Sequence, residues 1–311
     1  MANFTATENT TIEMNEASKS SIPTGIAVFF STLNIFLSIT ASLGNALILV
    51  ALHKETSLHP PTKLLFRCLA ITDLCVGVIT QPLYTVFLLS SITSGISWQV
   101  RYYSDKLSIA SSFVLCQVSI LLPSAISVDR LLALLCGLKY KQVVTVPRVR
   151  VVITCFWLIS ISLGTVFFWN YITVLTISFS LTVFGLTISV FLYSTIYVKL
   201  RQHQFQVSTL TQGQPNAKEL PLNIARYRNS VSSAIWVQVV LLVCFIPCSV
   251  VVILLISGQI SRSQMEIAVV FTTTSVYLNS SINPIIYCWK IRSVQQAAKE
   301  TIKQLNCCKQ A

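Results

Sequence analysis

Ser119-Ile120-Leu121-Leu122-Pro123-Ser124-Ala125-Ile126-Ser127-Val128-Asp129-Arg130-Leu131-Leu132-Ala133-Leu134-Leu135-Cys136-Gly137-Leu138-Lys139-Tyr140 is the stretch on which the fold turns. A carboxylate and a guanidinium, Asp129 and Arg130, sit side by side after a run of apolar residues, and the apolar pattern resumes at Leu131. In a membrane helix such a pair is unfavourable unless it is paired or faces an aqueous cavity, which marks it as a functional feature. An arginine near a helix end also snorkels to lipid headgroups. The stretch alone leaves both readings open.

The rest of the chain supplies the context. Of 311 residues, 53% are hydrophobic and only 10% charged, with a mean hydropathy of +0.71. Soluble domains carry about 25% charged residues, so the composition is that of a membrane protein. Apolar runs fall at 26–52, 64–91, 107–135, 149–168, 172–200, 231–256 and 267–289. Each reaches the ~20 residues that a helix needs to cross a ~30 Å hydrocarbon core. The ~10-residue alternating segments of a membrane barrel are not seen. The expected fold is an all-α bundle of seven membrane helices, with the two chain ends on opposite sides.

Charge orients the bundle. With the N-terminus outside, all of the 22 basic residues except Lys19, Arg101, Lys106 and Arg262 lie on inner segments. That satisfies the positive-inside rule. The net charge of +12 then reflects topology and an anionic inner leaflet, and needs no nucleic-acid partner. None of the ten cysteines falls in an outer loop, so no disulfide is expected.

The order of features divides the chain into an outer tail (1–23), a seven-helix domain (24–289) and an inner helix and tail (290–311). The outer tail carries two sequons, at Asn3 and Asn9, as glycosylation candidates. No signal peptide is expected before helix one, which would then export the tail itself. Asp73, a carboxylate deep in helix two, reads either as a neutral acid held by hydrogen bonds or, more sharply, as a cation or proton site. Pro82 is expected to bend the outer half of helix two, and Pro123 to kink helix three. Trp98 reads as an interfacial aromatic in the link before helix three, and Pro147 suits the first turn of helix four. Only 169–171 remain between helices four and five. Residues 202–225 read as a mobile inner loop, and Pro247 as a hinge in helix six. Beyond Lys290, Ile291, Val294, Ala298, Ile302 and Leu305 recur at helical spacing. They predict an amphipathic helix on the inner leaflet, followed by palmitoylation candidates Cys307 and Cys308.

Gly44-Asn45, Leu69-Ala70-x-x-Asp73, Asp129-Arg130, Trp157, Cys244-Phe245-x-Pro247 and Asn283-Pro284-x-x-Tyr287 stand in this order on six successive helices. Any one of these motifs is weak; together, over about 25–308, the chain resembles the rhodopsin-like (class A) G-protein-coupled receptors. The resemblance implies that Asp129 holds Arg130 at rest and releases it toward a heterotrimeric G protein when helix six swings out about Phe245 and Pro247. It implies that Tyr197 and Tyr287 then turn inward, with Asn283 and Pro284 part of the same switch. It also implies an internal sodium pocket at Asp73, Ser119, Asn279, Ser280 and Asn283, whose oxygen-bearing side chains suit a hard cation, and a plasma-membrane location with the N-terminus extracellular.

Departures from the family pattern are informative. Leu131 replaces the usual Tyr, and Phe245 the usual Trp. Tyr227, flanked by Arg226 and Arg228, stands where many members carry an acid on helix six; the loss of that restraint predicts raised basal activity. Asp105 stands at the usual disulfide cysteine, and Ser189 at the usual helix-five proline. With the minimal outer link, these features look most like the melanocortin, cannabinoid and lysophospholipid receptors.

For a ligand, the expected lining is Tyr84, Ser112, Cys116, Phe245, Cys248, Thr273 and Tyr277. Ser112 replaces the aspartate of amine receptors, and Tyr277 the retinal lysine of opsins. What remains suits a small neutral or lipid-like ligand, with a peptide anchored on Asp105 and Glu266 as the alternative. A transporter using Asp73 would favour internal repeats, which are not found. A non-coupling receptor-like scaffold is the other alternative, raised by Pro123. The three histidines, all on inner segments, offer no metal spacing or nucleophile constellation for an enzyme.

Overall fold

The described residues fold as a bundle of seven long helices. The computed structural model describes residues 22–54, 58–93, 95–211, 219–258, 261–290, 295–296 and 299–300. Helix α1 is Thr24–Lys54; α2 spans Pro60–Ser90; α3 is Trp98–Cys136; α4 is Val146–Val166; α5 is Tyr171–Thr211; α6 is Glu219–Ile256; α7 is Arg262–Lys290. A 3-10 turn, Gly137–Lys139, and a one-turn helix, Tyr140–Val143, join α3 to α4. Helix α3 is central and packs against α2, α4, α5, α6 and α7, while α1 is held between α2 and α7.

The termini follow local chemistry. Pro60-Pro61 and Pro147 occupy the first turns of α2 and α4, where no N–H is needed. Ser97 caps α3 by accepting from the Val100 backbone N–H. Gly137 ends α3 at φ +48°, a left-handed conformation that glycine adopts without a Cβ clash. Helix α3 starts at Trp98, not 107, so Trp98 sits in its first turn with its ring half exposed. Helix α2 is α-helical over Pro60–Cys75, π-helical over Val76–Thr80 and α-helical again over Gln81–Ser90. The wide turn directly precedes Pro82, whose ring crowds the preceding carbonyls and has no N–H to give. Pro123, by contrast, lies inside an unbroken α-helical α3.

The expected inner loop over 202–225 is corrected at both ends, while 212–218 lie outside the described residues. Helix α5 runs on to Thr211 and α6 begins at Glu219. Polarity alone does not stop a helix, and no Gly or Pro occurs until Gly213 and Pro215. The sequons at Asn3 and Asn9, the whole amphipathic tail helix apart from 295–296 and 299–300, and Cys307 and Cys308 lie outside the described residues.

Six of the seven helices are long and apolar enough to cross a membrane. The exception, α7, is long enough but buries Thr272, Thr274, Asn279, Ser280, Ser281 and Asn283. Its polar face is turned to the interior, not to lipid. It also packs closely on α1: a Cβ added at Gly44 would lie 2.9 Å from Cγ of Pro284. That ring is rigid, so Gly44→Val is expected to cost about 1–3 kcal/mol through overpacking. Thermal denaturation of the purified protein should show a lowered midpoint, while Gly25→Val, with nothing within 4 Å, leaves it unchanged.

Candidate functional site

Three polar sites are stacked along the bundle. At its inner end the Asp129 carboxylate is buried and pairs with the Arg130 guanidinium. Two further groups complete the cluster. Thr62 Oγ1, from the first turn of α2, donates to Asp129 Oδ2 at 2.8 Å and accepts from Arg130 Nη2 at 2.6 Å. Tyr140 Oη donates to Asp129 Oδ1 at 2.5 Å. Burial pushes the Tyr140 hydroxyl up to about 12, and its hydrogen bond to the carboxylate adds to the shift. It therefore stays a donor across the physiological range. Beside it, ring to ring at 5.0 Å, stands His59, whose value burial lowers against the opposing pull of Asp129. Sequence reasoning missed Thr62 and Tyr140; the only signal was a Thr after two prolines and a Tyr between two lysines.

Tyr287 is buried edge-on against Phe66 at 5.3 Å, and its hydroxyl has no partner. Tyr197 is not brought to the cluster. It is 58% exposed on α5, while Tyr193, one turn earlier, is buried in the core. Tyr227, Arg226 and Arg228 lie on α6, with side chains outside the described set. Pro247 lies within α6, between the cavity-lining residues Phe245 and Cys248, and Phe245 is buried against Ile120, Leu186, Leu241 and Cys244.

Midway along the bundle, Asp73 is fully buried. Its Oδ1 accepts from Ser119 at 3.0 Å and Ser280 at 2.8 Å; its Oδ2 accepts from Asn283 Nδ2 at 2.8 Å. Asn45 Nδ2 donates to the Ser280 carbonyl at 3.0 Å, tying α1 to the same turn of α7. Asn279 does not reach the carboxylate by any hydrogen bond in the structure. The side-chain oxygens of Asn45, Asn279 and Asn283 are buried without a partner. A carboxylate, two hydroxyls and spare amide oxygens form a donor set for a hard cation. Among the described residues no group of three or more His, Cys, Asp or Glu could hold a metal ion.

The outer half encloses a cavity of about 1130 Å³. All seven expected residues, Tyr84, Ser112, Cys116, Phe245, Cys248, Thr273 and Tyr277, line it, as do Asp105 and Glu266. Ser112 Oγ and Tyr277 Oη hydrogen bond at 2.7 Å, and the rings of Tyr84 and Tyr277 meet edge to face at 5.5 Å. Arg101 and Lys106 also line the cavity, with their cations over Phe87 and Phe167 at 5.9 and 5.4 Å. Neither basic residue was foreseen as lining, nor were Gln117 and Ser178. All eight described cysteines are free thiols.

A seven-helix membrane bundle with an ion-paired inner cluster, a buried central carboxylate and an outer cavity has the architecture of a membrane receptor. The family model "7 transmembrane receptor (rhodopsin family)" matches residues 44–170 and 164–287, and the chain belongs to that family. It is a G-protein-coupled receptor, not an enzyme. Its relatives include melanocortin receptor 5 of Rattus norvegicus, 29% identical over 97% of this chain and 91% of the relative. Adenosine receptor A3 of Ovis aries is 24% identical over 87% of this chain and 88% of its own length.

The inner cluster yields a double-mutant test. Tyr140→Phe and Thr62→Val each remove a donor to a buried carboxylate and are expected to lower stability by about 1–3 kcal/mol. Because they share one acceptor group, thermal denaturation of the two single variants and the double variant should show clear non-additivity, on the order of 0.5 kcal/mol or more.

Proposed function

We propose that this protein is a plasma-membrane receptor with an extracellular N-terminus. A small neutral or lipid-like ligand enters the outer cavity, and a heterotrimeric G protein is activated at the inner end by outward movement of α6 about Pro247. The observation that carries this reading is the Asp129–Arg130 pair with its Thr62 and Tyr140 partners. It is a bistable element: the guanidinium is either held by Asp129 or free to meet a partner, and a ligand shifts the balance by binding one arrangement better. The cavity supports the ligand class through its largely apolar wall, with Ser112 and Tyr277 joined to each other in place of a counter-ion. Relatives named for adenosine and for melanocortin do not select between ligand classes. A peptide is the second reading, favoured by Asp105 and Glu266 in the cavity wall.

With the chain expressed alongside a panel of Gα subunits and no added ligand, nucleotide exchange should exceed that of Arg130→Ala at matched surface expression. Equal exchange in the two would sink the proposal of basal coupling and leave a receptor that is quiet without ligand or a non-coupling scaffold.

A sodium ion fits the middle site. Asp73, Ser119, Ser280 and the spare oxygens of Asn279 and Asn283 would hold it, and it would supply a positive charge that stabilises the arrangement in which these groups converge. Stabilisation by a ligand grows as RT ln(1 + [L]/Kd). The thermal midpoint of the purified receptor should therefore rise when choline chloride is replaced by sodium chloride at constant ionic strength. Asp73→Asn should lose that rise; an equal rise in the variant would remove the site.

A further inference from the structure

We propose that Gln238 on α6 is a built-in penalty on the arrangement that holds Arg130, and so sets how readily α6 leaves the bundle. This rests on the α6 movement proposed above. Gln238 is 3% exposed, and neither its Nε2 nor its Oε1 has a hydrogen-bond partner in the structure. An amide offers two donors and an acceptor oxygen. Burying it unmet is unfavourable in a way that burying an apolar side chain of similar size is not.

Helix register shows what faces it. On α6 the buried positions Val237, Gln238, Leu241, Cys244 and Phe245 form one stripe. Leu241 and Phe245 pack with Ile120 of α3 and Leu186 of α5. About one turn nearer the Asp129 end of each helix lie Gln238 on α6, Ser124 on α3 and Ser189 on α5. The two serines spend their polar groups on α3 and α5 alone. Ser124 Oγ donates to the Gly185 carbonyl at 3.2 Å, and the two hydroxyl oxygens are 2.9 Å apart. Gln238 comes level with this hydrogen-bonded seam and has no share in it.

Its place relative to the hinge turns the penalty into a bias. Gln238 lies nine residues before Pro247, about 13 Å along the inner arm of α6 at ~1.5 Å per residue. When that arm swings out, Gln238 goes with it, the seam with α3 and α5 opens to the inner solvent, and the amide is hydrated. The penalty therefore falls on the packed arrangement and not on the open one, which is the differential that a population shift requires. Thr62 and Tyr140 act on the other side of the same balance by holding Asp129 and, through it, Arg130. Gln238 does not line the outer cavity; it is a positioning residue for α6.

The test uses the full-length receptor purified in detergent, without ligand. Gln238→Leu and Gln238→Met should each raise the thermal midpoint by about 2 °C or more and slow amide hydrogen exchange along α6. Gln81→Leu is the comparison. Gln81 on α2 is likewise buried with both amide atoms unmet, so its replacement should raise the midpoint yet leave α6 exchange unchanged. Basal nucleotide exchange should fall about five-fold in Gln238→Leu. A wild type without basal exchange would count against the coupling reading alone, since the midpoint and hydrogen exchange need no G protein. A midpoint no higher than wild type in both Gln238 variants, or α6 hydrogen exchange no slower than in Gln81→Leu, would overturn the proposal.

Discussion

A single carboxylate at the middle of the membrane constrains the whole bundle. Asp73 is fully buried, and its two oxygens must be met by side chains from within the protein. They are met by Ser119 of α3 and by Ser280 and Asn283 of α7, so three helices are fixed in rotation and height by one group. Asn45 extends the constraint to α1 through the Ser280 carbonyl, and Gly44 beside it allows Pro284 to approach. This is why α7 is the helix that is not apolar enough to be taken for a membrane span. Its polar residues belong to the interior, and its lipid-facing surface alone could not raise the average. Polar side chains between helices in a membrane are worth only about 0.6–2 kcal/mol each. Their value here is in specifying one arrangement of helices that lipid would otherwise let slide.

Much of this was legible in the sequence because the signals are either long or stereotyped. Apolar runs announce membrane helices by length alone. The motifs carrying Asp73, Arg130, Pro247 and Asn283 stand in register on successive helices, which located the inner cluster and the middle site in advance. Composition misled where polarity was read as loop. The segment between 202 and 225 is rich in glutamine and asparagine, which are tolerated in a solvated helix, and its first Gly and Pro come only at 213 and 215. Helix α3 likewise extends outward past its apolar run, because Arg101, Asp105 and Lys106 are helix-compatible residues whose charges sit at the cavity mouth.

What could not be read were contacts between residues that are ordinary by themselves. Thr62 is a threonine near two prolines, and Tyr140 a tyrosine in a basic loop; neither type or spacing signals that both converge on Asp129. Their meeting depends on the first turn of α2 lying beside the link after α3, which is a property of the packed bundle.

The inner cluster and the tyrosines around it differ in how well they are satisfied, and that difference has a direction. Asp129 is saturated: Arg130, Thr62 and Tyr140 all address it. Tyr287 is buried with an unmet hydroxyl, and Tyr197 faces outward with more than half its surface exposed. The arrangement therefore concentrates its polar stabilisation on holding the arginine and leaves the Tyr287 hydroxyl without a partner. How firmly the guanidinium is held depends on how firmly Asp129 keeps its partners. Here that firmness comes from Thr62 and Tyr140, and not only from whatever α6 contributes across the bundle.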